Sequence, residues 1–103
     1  MRRVLFPFVL TIAFASVTAS AQQPIPEERL DANLKQCLAG CRQNNEEAVC
    51  QTLCGCTIEQ FRTKLSLADY LTLETEMKDG EMSPPVQKFL DDTAAFCAAK
   101  VPQ

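Results

Sequence analysis

Cys37-Leu38-Ala39-Gly40-Cys41 and Cys50-Gln51-Thr52-Leu53-Cys54 are two CX₃C motifs with eight residues between them. On a helix, residues at i and i+4 share a face, with Cβ atoms about 6 Å apart. A disulfide needs about 3.8 Å and converging Cβ vectors, so the cysteines of one motif should not bridge each other. Each motif can bridge the other. If the two segments form an antiparallel helical hairpin turning at Asn44-Asn45, Cys41 faces Cys50 and Cys37 faces Cys54. Two parallel rungs then clamp the hairpin, and Cys56 is left for Cys97.

Outward from this hairpin the chain reads as helix throughout. Gln22-Gln23-Pro24-Ile25-Pro26 is a short extended leader, because its prolines disfavour helix. From Glu27 the apolar positions Leu30, Leu34, Cys37, Leu38 and Cys41 mark one face of an amphipathic helix with acids in its first turn. A shorter second helix carries Val49, Cys50, Leu53 and Cys54 and is expected to stop near Gly55. Thr57-Ile58-Glu59-Gln60 has the form of a capping box for a third helix, buried through Ile58, Phe61 and Leu65. Ser66-Leu67-Ala68-Asp69 starts a fourth, with Leu67, Tyr70, Leu71, Glu74 and Met77 along it and Gly80 closing it. Ser83-Pro84 opens a fifth, whose apolar face is Val86, Phe89, Leu90, Thr93, Ala94, Cys97 and Val101. No alternating β pattern persists. The expectation is an all-α, disulfide-stapled bundle of about five short helices, a single domain over residues 27–103.

The N-terminus has the form of an export signal. Met1-Arg2-Arg3 is a basic start, Val4 to Ala15 is apolar, and Ala19-Ser20-Ala21 is an A-x-A cleavage site. Residues 1–21 therefore read as a signal peptide cut between Ala21 and Gln22. Pro7, Thr11, Ser16, Thr18 and Ser20 make the same stretch a poor membrane span. Leu38-Ala39-Gly40-Cys41 spells a lipobox, but the residues before it, Glu27 to Gln36, are too charged to lie in a bilayer. Cys41 is thus not read as a lipid anchor, and no membrane anchor is expected after cleavage.

Cleavage would leave 82 of the 103 residues. It removes Arg2 and Arg3 from the ten basic residues, so eight face thirteen acidic ones, a net charge of −5. An acidic surface disfavours nucleic acid and anionic lipid, both of which need a basic footprint. A core this small gives limited net stability, and domains of this size commonly add staples. All six cysteines lie beyond Ala21, as expected of a disulfide framework in a periplasmic or secreted protein.

Histidine is absent, which removes the usual base of serine and cysteine nucleophile sites and most catalytic zinc sites. Beyond the signal the serines are Ser66 and Ser83, both better explained as helix caps. The carboxylates Glu46, Glu47, Glu74, Glu76, Asp79, Glu81, Asp91 and Asp92 fall on expected solvent faces or helix ends. Asp79-Gly80-Glu81 lacks the ligand series of a calcium loop. No catalytic residue, cofactor site or metal site is expected. The sharpest chemical candidate is Cys54-Gly55-Cys56, which could act as a thiol–disulfide couple or thiolate–metal site, with a helix start at Thr57 lowering the Cys56 pKa. The competing reading makes both sulfurs structural. Met77 reads as a core position and Met82 as a loop residue, and the Leu30, Leu34 and Leu38 stripe as core packing.

Over residues 37–54 the twin CX₃C pattern resembles two families with a hairpin closed by two rungs: the small Tim chaperones of mitochondria and the plant α-hairpinins. The chaperones have a longer stretch between their motifs, and neither family has a counterpart to Cys56, Cys97 or the further helices. The resemblance implies the rung pattern. From the α-hairpinins it also implies a secreted inhibitor or antimicrobial peptide, with Arg42 as the basic residue near the turn. The whole layout is similar to small exported proteobacterial proteins with a C-x-C motif and a distant C-terminal cysteine, which implies a compartment. The leading expectation is an exported, non-enzymatic helical module that binds a protein or peptide partner in the cell envelope.

Overall fold

Residues 23–102 are described by a computed structural model. The expected signal peptide and the Ala21–Gln22 cleavage point lie outside these residues. Among the described residues there are four helices: α1 (Glu27–Cys41), α2 (Glu47–Lys64), α3 (Leu67–Asp79) and α4 (Pro84–Ala98), with no strand.

α1 and α2 form the antiparallel hairpin. The rungs are Cys37–Cys54, with Cα atoms 5.8 Å apart, and Cys41–Cys50, at 5.6 Å. α1 ends at Cys41, whose carbonyl accepts from both the Asn44 N–H and the Asn45 side-chain amide at 3.2 Å, so this helix-end acceptor is satisfied locally. Arg42 Nε and Nη2 donate to the two carboxylate oxygens of Glu47 at 2.6 and 2.8 Å, tying the turn to the first residue of α2.

α2 corrects the expected five-helix count. The second and third helices are one continuous element of 18 residues. Gly55 does not break it: its φ is not positive, and a Cβ placed there would meet nothing within 4 Å. An interior glycine costs a helix only about 1 kcal/mol against alanine. The flanking Cys54 and Cys56 are each bridged to another helix, which holds the backbone through this point. Thr57 is likewise no cap. Its hydroxyl donates to the Leu53 carbonyl one turn back, at 2.8 Å, an ordinary arrangement inside a helix.

The later boundaries follow local chemistry. Ser66 Oγ accepts from the Asp69 N–H and an Asp69 carboxylate oxygen accepts from the Ser66 N–H, both at 3.1 Å, a complete capping box. Gly80 ends α3 in the left-handed region at φ 80°, where a side chain would be strained. Pro84 begins α4 after Ser83, whose hydroxyl caps nothing. Instead the Ser83 N–H donates to Glu76 Oε1 at 2.5 Å, so a carboxylate of α3 fixes the start of α4.

The core sits at the open end of the hairpin. Leu30 of α1, Ile58 and Phe61 of α2, and Tyr70 and Leu73 of α3 are buried together. The Phe61 ring lies 5.9 Å from Tyr70 and 6.0 Å from Phe89 between centroids, joining α2 to both later helices in tilted aromatic contacts. Ile25 of the leader is buried in the same cluster, and the Leu67 N–H donates to the Gln23 carbonyl at 2.7 Å. Residues 23–26, just before α1, are therefore a packed part of the fold. Two positions expected inside are outside: Ala94 is exposed, and Met77, read as core, is 51% exposed at the end of α3.

Candidate functional site

Cys54-Gly55-Cys56 is a junction of the scaffold. Residues two apart on a helix point to nearly opposite sides. Cys54 accordingly faces α1 and bridges Cys37, while Cys56 faces α4 and bridges Cys97, with Cα atoms 5.6 Å apart. No described cysteine is free. Cys50, Cys54 and Cys97 are buried and Cys56 half-buried. The expected dipole effect on Cys56 has no basis here, because the residue lies inside α2 rather than at a helix start.

The carboxylates are dispersed. Glu47 pairs with Arg42, Glu74 with Arg29 at 3.5 Å, and Asp92 with Lys88 at 2.6 Å. Arg62 bridges α2 to Glu27 of α1 at 2.8 Å and also pairs with Glu59. These pairs hold the Glu27 and Glu47 carboxyls below the ordinary range, mainly through the hydrogen bonds from Arg62 and Arg42. Among the described residues no three His, Cys, Asp or Glu side chains are placed to hold a metal ion. Arg42, the residue singled out by likeness to inhibitory hairpins, has its guanidinium engaged by Glu47.

A small polar notch of about 150 Å³ lies between α1 and α3. Asn33 Nδ2 donates to the Tyr70 hydroxyl at 2.7 Å in it, and Arg29–Glu74 closes its edge. Burial pushes the Tyr70 phenol above its ordinary value, against the smaller opposing effect of the Asn33 hydrogen bond. These groups satisfy one another.

A groove of about 350 Å³ lies between α3 and α4. Its apolar lining is Leu65, Leu73, Pro85, Val86 and Phe89. Leu73 is buried, whereas Leu65, Val86 and Phe89 are half-buried and Pro85 is exposed. Asp69, Thr72, Glu76 and Ser83 supply its polar side. The groove arises from how the helices are joined. Cys56–Cys97 pulls the far end of α4 onto α2 and the Glu76–Ser83 hydrogen bond pins its near end to α3. The faces between are left apart. Val86 and Phe89 were legible as an apolar face of α4, but that they border an open groove was not. The Leu30, Leu34 and Leu38 stripe takes no part in it: Leu30 is buried, and Leu34 and Leu38 are half-buried along α1.

No helix among the described residues is long and apolar enough to cross a membrane. Compared with known proteins, the chain matches no family model, no curated protein and no solved structure.

Proposed function

We propose that this chain is an exported, non-enzymatic helical module that binds a protein or peptide partner in the cell envelope, in the periplasm or outside the cell. The α3–α4 groove carries the reading. It is concave, chiefly apolar and open, within the volume range of pockets that take side chains or small ligands, and no segment of the described chain fills it. Three disulfides and no free thiol among the described residues favour an oxidising compartment. In the groove the Thr72 hydroxyl donates to the Ala68 carbonyl and Glu76 accepts from the Ser83 backbone N–H, so these polar groups serve the helix backbone, which favours recognition over chemistry.

The test is photo-crosslinking in the producing cell. A crosslinking side chain at Val86 in the groove should give a discrete adduct, and one at exposed Asn45 in the hairpin turn should not. Equal labelling from both positions, or no discrete adduct from any surface position, would count against partner binding.

A further inference from the structure

Resting on that reading, we infer that the α3–α4 groove takes a cationic amphipathic peptide segment, one with an apolar anchor side chain flanked by Lys or Arg. The apolar floor of Leu73, Val86 and Phe89 accounts for the anchor. The cations follow from the rim. Asp69 and Glu76 both line the groove, no Lys or Arg does, and neither carboxylate has an ion-pair partner among the described residues.

Their placement is firm. Asp69 Oδ2 accepts from the Ser66 N–H and Glu76 Oε1 from the Ser83 N–H, so each carboxylate is anchored through one oxygen and keeps acceptor capacity on the other. The two residues are seven apart on α3, on one face, and about 10 Å apart along the axis. Thr72 and Leu73 lie between them. A peptide helix covers the same distance between residues i and i+7 on one of its faces. Basic side chains at those two positions, with apolar ones at i+3 and i+4 between them, match the spacing.

Charge also decides among occupants. Carboxylates at the rim repel the anionic surface of a lipid bilayer. A second copy of this chain is a poor match, because beyond the expected signal it carries eight basic side chains against thirteen acidic, and Arg29, Arg42, Arg62 and Lys88 are already tied to its own acids. A basic segment of another protein satisfies both the floor and the rim.

The experiment uses the oxidised protein and two synthetic fluorescent peptides. One has a helix-forming Lys-Gln-Gln-Leu-Leu-Gln-Gln-Lys centre, and in the other both lysines are replaced by glutamate. Fluorescence anisotropy should show binding of the lysine peptide that weakens with added salt, and none of the glutamate peptide. Methyl and aromatic resonances of Leu73, Val86 and Phe89 should move on titration. The double variant Asp69→Asn plus Glu76→Gln keeps an acceptor oxygen for each backbone N–H, so the caps survive, and circular dichroism checks that they do. It should bind the lysine peptide about tenfold more weakly. Equal affinity for the two peptides, no binding of either, unchanged affinity in a folded double variant, or resonance shifts centred on Phe96 and Lys100 would each overturn the inference. So would groove resonances that move with protein concentration alone, the mark of self-association, or preferential binding of anionic vesicles. The two readings fail separately. A crosslinked partner away from Val86 that ignores the double variant leaves partner binding standing and removes the groove as its site. Lysine-peptide binding at the groove with no adduct in cells does the reverse.

Discussion

The two ends of the α1–α2 hairpin are held by different means. At the turn, two disulfides and the Arg42–Glu47 pair act within about three helical turns of one another. At the open end no covalent link joins α1 to α2. Leu30, Ile58, Phe61 and the Arg62–Glu27 pair hold them, and α3 and the leader pack there too. Covalent redundancy at the turn frees that end from needing a core, whereas the open end must build one. The groove lies beside that core, where the one covalent fastening of α4 is the distant Cys56–Cys97 bridge.

The sharpest way to break this division is to cut the one bridge that serves the later helices. Cys56–Cys97 closes 41 residues of sequence separation, worth about 4 kcal/mol in the loop-entropy account. The double change Cys56→Ser plus Cys97→Ser should therefore cost about that much in urea unfolding. It should also speed hydrogen exchange through α4 while the hairpin amides stay protected. Replacing both partners leaves no stray thiol. Cys41→Ser plus Cys50→Ser should cost less, because the Cys37–Cys54 rung already encloses its loop. Equal losses from the two pairs would erase the asymmetry.

Phe61→Ala is next. The ring is 3% exposed and touches both Tyr70 and Phe89, so its removal takes away the aromatic contacts from α2 to the two later helices. We expect a loss of about 3 kcal/mol, the low end for a buried phenylalanine, because the adjoining groove gives neighbours room to collapse. A substantially larger cost would mean that the groove walls are rigid.

How much of this was legible follows physical lines. The disulfide pairing was, because i, i+4 geometry forbids one set of bridges and a hairpin permits another. The capping box at Ser66 and the glycine at position 80 were too, since both are local. The continuity of α2 through Gly55 was not, because glycine and threonine signal a break only locally. Bridges from Cys54 and Cys56 to other helices override a cost of about 1 kcal/mol. Met77 was misplaced because helical spacing alone does not say where a neighbouring helix ends. Ile25 was missed since its burial depends on a leader folding back to α3, and the groove since it is a property of two helices that fail to meet.

A smaller test uses Tyr70, the single tyrosine of a chain without tryptophan, so its absorbance reports the core directly. Tyr70→Phe removes the acceptor for Asn33 and should cost about 1 kcal/mol. The same phenol makes stability depend on pH. Its folded pKa is raised by burial, so the unfolded chain ionises first. Its contribution is complete below about pH 10 and is lost as the pH climbs through the folded value. The wild type should weaken over that alkaline range and Tyr70→Phe should lack this component, measured by urea unfolding beside a tyrosinate absorbance titration.

The smallest effect compares the two ends by their ion pairs. Glu27 and Glu47 are both exposed carboxylates held below the ordinary range by an arginine. Each contributes above the unfolded carboxylate pKa, and that contribution fades as the pH falls through the depressed folded value. Salt should weaken both. Where they sit should separate them. Glu47→Gln acts beside the turn, where the Cys41–Cys50 bridge keeps the helices together whether or not Arg42 is paired. Glu27→Gln acts where Arg62 is the charged tie between the first residue of α1 and the end of α2, with no bridge nearby. Neutralising Glu27 should therefore lower the unfolding midpoint slightly and flatten its acid dependence, and neutralising Glu47 should leave the midpoint unchanged. A double-mutant cycle for Arg62 and Glu27, repeated at high salt, isolates the pair from the neighbouring Glu59. A larger coupling for Arg42 and Glu47 than for Arg62 and Glu27 would show that the bridged turn still depends on its charges.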